Sequence, residues 1–279
     1  MKSAAKPAGD IESELGAAAR ESVVLSLEDA VATIAFNRPQ AMNTLTLETI
    51  GRLHDLLIDV ERRADIRCLV IKGEGRVFMA GGDLGYLDAA GERAPEEARK
   101  VIDALNAAMG LLVELSKPTV ACVHGAVAGA GNSIMLACDM ALAAAGTKFV
   151  YAYGAIASAS DGGLSWSLPR VVGMRRALEI AYLPQQITAE QALSYGLVNR
   201  VVDPAALESE TAALARRLAE GPTLALAATR RLMRDGQTRT FDQQLVAERE
   251  AFCAAAATED FREGVRAFFE RRPANFAGK

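Results

Sequence analysis

The 279-residue chain has little of several residue types that mark particular classes of protein. It has only two histidines, His54 and His124, so a histidine-rich metal site is not expected. Its four cysteines are scattered without a C-x-x-C pair, which is typical of reduced thiols and favours a cytoplasmic location. The formal net charge of −4 provides no basic footprint, so nucleic acid is not expected as a partner.

Long uninterrupted apolar runs are also missing. The longest apolar stretch, residues 119–145, is interrupted by His124, Asn132 and Asp139, and its glycines suit a turn better than a membrane span. Residues 1–21 have no apolar signal core and are predicted to form a mobile N-terminal extension. The sequence therefore predicts a soluble globular protein with no membrane partner.

Short apolar strands alternate with amphipathic helices along the first part of the chain. Strands are predicted at 22–29, 31–39, 67–73, 119–125, 140–145 and 148–153. Helices are predicted at 46–63 and at about 96–116. Because the strands are almost continuously apolar, this order predicts an α/β fold with a largely parallel sheet. Helices then dominate, at 174–182, 188–195, 204–220, 222–235 and 240–271 with a break near Thr258, and one more strand lies within 196–203.

Two turns of glycine and alanine follow strands and precede helices. The first is Met79-Ala80-Gly81-Gly82-Asp83, and the second, Ala128-Gly129-Ala130-Gly131, opens a helix near Asn132. Small residues let a ligand approach the backbone, and a helix N-terminus presents unpaired amides. If the amides of Ala80 and Ala130 converge, they form an oxyanion hole, which stabilises negative charge on a substrate oxygen. The competing interpretation is that both turns serve packing alone.

A single acid, Asp161, precedes Gly162 and Gly163 at the start of a further helical pattern that includes Leu164 and Leu168. Its side chain suits two roles. It can cap the helix by accepting backbone N–H groups, or it can act as a catalytic base. The residues alone leave both roles open.

Six segments of the chain, in order, resemble the crotonase (enoyl-CoA hydratase/isomerase) superfamily. They are FNRPQAMNTL (36–45), FMAGGDL (78–84), KPTVACVHGAVAGAGNS (117–133), LPRVVGMRRALE (168–179), ITAEQALSYGLVNRVV (187–202) and FFERRPANF (268–276). The resemblance implies a spiral of β-β-α units over residues 22–200. It also implies a C-terminal helical trimerisation region over 201–279, so that a homotrimer or a dimer of trimers is expected.

The resemblance also implies an acyl-CoA thioester as the substrate, with its carbonyl oxygen held between the amides of Ala80 and Ala130. Coenzyme A enters as part of this substrate, so no separate cofactor and no metal are expected. The implied contacts with substrate or coenzyme A come from Arg38, Ala41, Gly81, Gly82, Asp83, Leu84, Tyr153, Trp166 and Phe276. Arg271, Arg272 and Phe276 are implied to reach the coenzyme A of a neighbouring subunit.

The subfamily depends on the acids of the site. Superfamily members that hydrate double bonds carry glutamates at the positions of Ser133 and Tyr153, and neither residue here is a competent base near neutral pH. The segment around Asp161 resembles double-bond-shifting members of the 1,2-epoxyphenylacetyl-CoA isomerase type, which also share an asparagine at the position of Asn106. Other segments resemble 4-chlorobenzoyl-CoA dehalogenase, in which this aspartate is a nucleophile. That enzyme has histidine and tryptophan in place of Asn106 and Tyr153.

The favoured hypothesis is an enoyl-CoA isomerase in which Asp161 moves a proton between the α- and γ-carbons through a dienolate. An apolar pocket formed by Met79, Leu84, Tyr153 and Trp166 is expected to raise the pKa of this acid. The alternatives are a hydratase of low activity, a thioester hydrolase or dehalogenase that uses Asp161 as nucleophile, and a non-catalytic CoA-ester binder.

Overall fold

The computed structural model describes residues 22–183 and 185–279, so the predicted N-terminal extension, 1–21, lies outside the described residues. The strands are β1 (Val23–Glu28), β2 (Val31–Phe36), β3 (Cys68–Gly73), β4 (Thr119–Val123), β5 (Ala126–Ala128), β6 (Met140–Ala144), β7 (Lys148–Val150), β8 (Gln186–Thr188) and β9 (Arg200–Val202). The helices of the first half are α1 (Leu47–Arg62), α2 (Leu84–Ala90), α3 (Ala94–Glu114), α4 (Ala130–Ala137), α5 (Leu164–Val172) and α6 (Met174–Tyr182). The later helices are α7 (Ala189–Ser194), α8 (Leu207–Ala219), α9 (Thr223–Asp235), α10 (Phe241–Ala256) and α11 (Glu259–Glu270).

The larger sheet has the strand order β1-β2-β3-β4-β6-β9. β1 and β2 form an antiparallel hairpin, whose turn residues Asp29 and Ala30 have φ of 47° and 63°. Positive φ at both positions matches the twist of a two-residue hairpin turn. All other pairs in this sheet are parallel, which confirms the prediction of a largely parallel α/β core.

A smaller sheet of β5, β7 and β8 was not predicted from the sequence. Two of its strands, β5 and β8, were missed because three residues are too few for an alternating pattern to be recognised. The predicted strand 148–153 is wrong at its end, because β7 stops at Val150 and a 3₁₀ turn follows from Ala152 to Ile156. This turn buries the side chain of Tyr153, which is 6% exposed.

The central strands of the larger sheet, β3, β4 and β6, are buried on both faces. On one face α1 contributes Ile50, Leu53 and Leu57 to the main core, as the helical spacing predicts. On the other face α8 packs Leu207 and Ala215 against a second cluster on the sheet, formed by Cys68, Val70, Val120, Cys122, Leu142 and Ala144. This arrangement explains why the strands are apolar at nearly every position.

The C-terminal helices follow the predicted pattern, including the break near Thr258. α10 ends at Ala256, and the Thr258 side chain caps α11 by accepting the N–H of Phe261 at 3.0 Å. Arg230 of α9 ties this region to the core, because its guanidinium donates to Asp139 and to backbone carbonyls at the end of α3. Within the described part of the chain, no helix is both long and apolar enough to cross a membrane.

Candidate active site

A cavity of about 1180 Å³ brings together most of the residues that the sequence singles out. Its polar end is formed by three short segments: Ala80–Asp83, Gly129–Ala130 and the loop that carries Asp161. Its apolar wall comes from α2 and α3 and includes Leu84, Leu87, Val101 and Ile102. The cavity is therefore polar where the two turns meet and apolar beyond them.

The backbone amide of Ala80 is not free to meet a substrate. Its N–H donates to the carbonyl oxygen of Met42 at 3.0 Å. An amide already engaged in this way cannot serve as a preformed oxyanion donor without losing a structural hydrogen bond. The prediction that Ala80 supplies the first donor is therefore wrong.

Gly82, two residues after Ala80, has a backbone amide that is not engaged in a hydrogen bond with the described part of the protein. In the parallel bridge between Leu45 and Gly82, the Leu45 N–H donates to Gly81 O at 2.8 Å, and the Asp83 N–H donates to Leu45 O at 2.9 Å. A residue bridged through its two neighbours directs its own N–H away from the partner strand. The Gly82 N–H has no acceptor among the described residues, and Gly82 lines the cavity.

The second amide lies at the start of α4. The helix begins at Ala130, two residues before the predicted start, after Gly129 with φ of 50°. Because Ala130 is the first helical residue, its N–H has no acceptor within the helix and lies at the positive end of the helix dipole. A Cβ at Gly129 would lie 3.4 Å from Gly81 Cα, so the two turns are in contact. The cavity lining thus includes the amides of Gly82 and Ala130, and neither amide has an acceptor among the described residues.

Asp161 places a half-buried carboxylate in the same cavity. Its Oδ1 accepts a hydrogen bond from the Tyr153 hydroxyl at 2.7 Å. Burial raises the pKa of Asp161 above its usual value, and this effect exceeds the lowering by the Tyr153 hydrogen bond. A carboxylate with a raised pKa is a stronger base, as proton abstraction from carbon requires.

The helix-capping role of the Asp161 side chain is not observed. The N-cap of α5 is Gly163, which makes no side-chain capping bond. The N–H of Leu164 donates to the backbone carbonyl of Asp161, at 3.1 Å, and not to its carboxylate. The Asp161 side chain therefore lines the cavity and does not cap the helix.

Ser133 and Tyr153 both contact Asp161. The Ser133 Oγ donates to the backbone carbonyl of Asp161 at 3.0 Å, while the Tyr153 hydroxyl donates to its carboxylate. Both side chains are buried. Burial and the neighbouring carboxylate raise the pKa of Tyr153 well above its usual range, so its hydroxyl stays protonated and remains a donor.

The expected apolar pocket is built from other residues than predicted. Trp166 does not line the cavity; its exposed ring stacks under the Arg170 guanidinium at 4.0 Å. Met79 is fully buried in the core and does not reach the cavity either. Trp166 and Met79 are therefore wrong as pocket residues, whereas Leu84 and Tyr153 do line it.

Three further predicted contacts lie away from the cavity. The Arg38 guanidinium donates to Thr44 O at 2.8 Å, and Ala41 belongs to the same short turn. Phe276 lines a separate surface pocket beside Arg67. Their roles toward coenzyme A stay predictions, since the described chain does not bring them to the cavity.

The sequence analysis overlooked a link between α2 and α3 at the cavity wall. Tyr86 lines the cavity, and its hydroxyl donates to Glu97, which also pairs with Lys100 at 3.0 Å. Glu97 is almost completely buried although its neighbours Pro95 and Glu96 in the first turn of α3 are exposed. A glutamate stands out as unusual only when it is known to be buried, and the sequence pattern alone does not show that burial.

Comparisons with known proteins agree with this architecture. A family model described as "Enoyl-CoA hydratase/isomerase" matches residues 26–279. The chain is 38% identical over 261 residues to a 1,2-epoxyphenylacetyl-CoA isomerase from Escherichia coli, covering 93% of this chain and 99% of the relative. It is 35% identical to a probable enoyl-CoA hydratase from Rhodobacter capsulatus, covering 91% of this chain and 96% of the relative.

A solved structure with the same fold is that of an enoyl-CoA hydratase from Polaromonas sp. JS666. It has a TM-score of 0.88 and 33% sequence identity, and the match covers 91% of this chain and 99% of that one. The relatives thus include both isomerases and hydratases, and the match extends over nearly the whole chain. The chain belongs to the enoyl-CoA hydratase/isomerase, or crotonase, family of acyl-CoA enzymes.

Proposed function

We propose that this protein is an enoyl-CoA isomerase that shifts a double bond between the 3- and 2-positions of an acyl thioester. The observation that carries the proposal is one half-buried carboxylate, Asp161, in the same cavity as the amides of Gly82 and Ala130. Such a site combines a single base with donors for a developing enolate.

The proposed reaction begins with polarisation of the thioester. Its carbonyl oxygen accepts hydrogen bonds from the Gly82 and Ala130 amides, which acidifies the α-carbon and, through conjugation, the γ-carbon. One such donor stabilises a transition state that gathers charge on oxygen by about 3–4 kcal/mol. The Asp161 carboxylate takes the proton from one carbon, leaving a dienolate, and the protonated acid returns it to the other carbon. No water is consumed, and the overall composition of the substrate does not change.

Hydration requires a group that holds and activates water in addition to the proton-transferring acid. Ser133 and Tyr153, at the positions of the hydratase glutamates, are both engaged with Asp161. The other acids that line the cavity have different surroundings. Asp83 caps α2 by accepting the Gly85 N–H at 3.1 Å, and Glu48 is exposed in the first turn of α1. These contacts support isomerisation over hydration.

The acyl part of the substrate is proposed to be hydrophobic and larger than a four-carbon chain. The cavity volume of about 1180 Å³ exceeds the range of about 300–1,000 Å³ that is usual for small-molecule sites, and the wall beyond the two turns is apolar. An acyl group gains binding free energy there through burial of its apolar surface, at about 25 cal/mol per Å².

Product analysis tests the proposal. The purified protein is incubated with a panel of 3-enoyl- and 2-enoyl-CoA esters of increasing acyl length, and products are identified by mass spectrometry and NMR. Isomerisation gives a product of unchanged mass with a shifted double bond. A product heavier by one water supports hydration, free coenzyme A supports hydrolysis, and either of them as the main product would overturn the proposal.

We further propose that the protein assembles into homotrimers or dimers of trimers through its C-terminal region. Four phenylalanines there, Phe241, Phe252, Phe268 and Phe269, are between 67% and 78% exposed. An accumulation of exposed large apolar side chains supports a subunit interface. Light scattering after size-exclusion chromatography measures the molar mass, and a monomer at micromolar concentration would contradict the assembly.

A further inference from the structure

We propose that Tyr153 and Ser133 are positioning residues that hold Asp161 in its catalytic orientation, one through the carboxylate and the other through the backbone. This inference rests on the proposed function, because it assigns the two residues by their effect on the catalytic base. It also explains why these two polar side chains are buried.

Tyr153 holds the carboxylate from a buried position. The tyrosine lies in the 3₁₀ turn after β7, and its ring makes an edge contact with Tyr151 at 5.1 Å between centroids. From this position its hydroxyl donates to Asp161 Oδ1 at 2.7 Å. Since the bond engages one carboxylate oxygen, the other oxygen can take the substrate proton. A short bond to a buried donor restricts the rotation of the carboxylate about its side-chain bonds.

Ser133 holds the backbone of the same residue. It lies in the first turn of α4, three residues after Ala130, and its Oγ donates to the Asp161 carbonyl at 3.0 Å. The adjoining Gly162 has φ of 56°, and a Cβ there would lie only 3.0 Å from the Ser133 Cβ. The helix that presents the Ala130 amide therefore also anchors the loop that presents the base. This arrangement sets the distance between the two halves of the site.

The groups around Asp161 determine what its titration reports. Tyr153 is the titratable side chain in contact with the carboxylate, and Ser133 is the neutral contact from α4. The other titratable side chains that line the cavity are Glu48, Asp83 and Tyr86, from α1 and from the turn and helix of α2. Burial raises the pKa of Asp161, and the Tyr153 hydroxyl lowers it by stabilising the ionised form. Loss of that hydroxyl therefore favours protonation of the base.

The test compares Tyr153→Phe with Tyr151→Phe, which removes a hydroxyl from the neighbouring ring and spares the bond to Asp161. The pH profile of kcat/KM is measured for both variants and the wild type with a 3-enoyl-CoA ester. In Tyr153→Phe the acid limb, which reports protonation of the free enzyme's base, is expected to move to higher pH. Its kcat is expected to fall about ten- to a hundredfold with KM little changed, because a base displaced by a fraction of an ångström loses alignment. The acid limb of Tyr151→Phe is expected to stay in place.

Ser133→Ala separates the backbone contact from the carboxylate contact. It is expected to lower kcat about tenfold while the acid limb moves less than in Tyr153→Phe, because Ser133 contacts the Asp161 carbonyl and the Tyr153 side chain but not the titrating carboxylate. A wild-type kcat in a folded Ser133→Ala variant would remove Ser133 from the proposal.

A readout without turnover distinguishes this inference from the proposed function. The carboxyl resonance of Asp161 is followed by ¹³C NMR as a function of pH in the wild type and in Tyr153→Phe, and it is assigned by its loss in Asp161→Asn. An upward shift of its titration midpoint in Tyr153→Phe supports the role of Tyr153, even in a protein that fails to isomerise enoyl-CoA. An unchanged midpoint together with an unchanged acid limb, in a variant that melts like the wild type, would overturn that role while isomerase activity stands.

Discussion

Replacing Asp161 with asparagine removes the proposed base while keeping its shape. The carboxamide oxygen can still accept the Tyr153 hydroxyl, which lies 2.7 Å from Oδ1 in the wild type, so the loop is expected to stay in place. The amide cannot accept a proton from carbon. Loss of a positioned general base lowers a rate by about 10²–10⁴-fold, equivalent to about 3–5 kcal/mol in the barrier. We expect kcat to fall within this range and KM to change little, because the oxyanion donors and the apolar wall are untouched.

The same substitution is expected to raise stability at neutral pH. Burial holds the pKa of Asp161 above its unfolded value, so the folded state binds the proton more tightly than the unfolded state. The resulting stabilisation is complete below the unfolded pKa and is lost as pH rises through the raised folded pKa. A neutral asparagine avoids this loss. The melting temperature of Asp161→Asn should therefore exceed that of the wild type near neutral pH, and the difference should vanish in acid, below about pH 4.

Steady-state kinetics and thermal melts at both pH values check this prediction. Asp103→Asn is the matched control, since it makes the same chemical change on the exposed side of α3 and does not line the cavity. Its activity and melting temperature should follow the wild type. Isomerase activity of Asp161→Asn within about threefold of the wild type would refute the assignment of the base, because such a change is below 1 kcal/mol.

Three further predictions concern the turns and the C-terminal region. Gly82→Pro removes the proposed oxyanion N–H and should lower kcat about a hundred- to a thousandfold. Gly82→Ala keeps the N–H, has no atom within 4 Å of its Cβ and should retain far more activity. Equal losses of kcat in the two variants would contradict the proposal that Gly82 is a donor. Gly162→Ala should lower both the melting temperature and kcat, because alanine is strained at φ of 56° and its Cβ would contact Ser133. An unchanged melting curve would contradict the close packing of Gly162 against Ser133. Arg230→Met should destabilise the protein by about 1–3 kcal/mol in urea unfolding, because it removes the donor to Asp139 and to three backbone carbonyls, while Asp139 keeps Arg234 at 3.0 Å. A loss below about 0.5 kcal/mol would show that these contacts are dispensable.

The sequence predicts most of the helices and the larger sheet well, because the hydrophobic pattern of a long segment is enough to identify its secondary structure. The stripe of α1, the apolar parallel strands and the break near Thr258 all appear where the spacing places them. The three-residue strands β5 and β8 carry no such signal, so the sequence did not predict the pairing of β7 with them in a smaller sheet. The turn that buries Tyr153 depends on the end of β7, and the ends of short strands depend on tertiary contacts.

The site was predicted less completely, because the sequence does not show in which direction each backbone N–H and each side chain points. Ala80 and Gly82 are both small and lie in one turn, and only the pairing with Met42 and Leu45 shows which amide is engaged. Trp166 was placed in the pocket for its size, whereas the rotation of α5 directs it to Arg170. Asp161 and Ala130, which the sequence analysis selected by their place in a motif, both line the cavity, and their catalytic roles stay predictions.

The most direct test of the central claim is an NMR time course of the wild-type protein with a 3-enoyl-CoA ester in deuterated water. Isomerisation through Asp161 predicts that the signals of the 3-enoyl double bond are replaced by those of the conjugated 2-enoyl thioester, without formation of a 3-hydroxyacyl product. It also predicts that this conversion is lost in Asp161→Asn. Appearance of the 3-hydroxyacyl thioester as the main product, or conversion at the wild-type rate in the variant, would contradict the account.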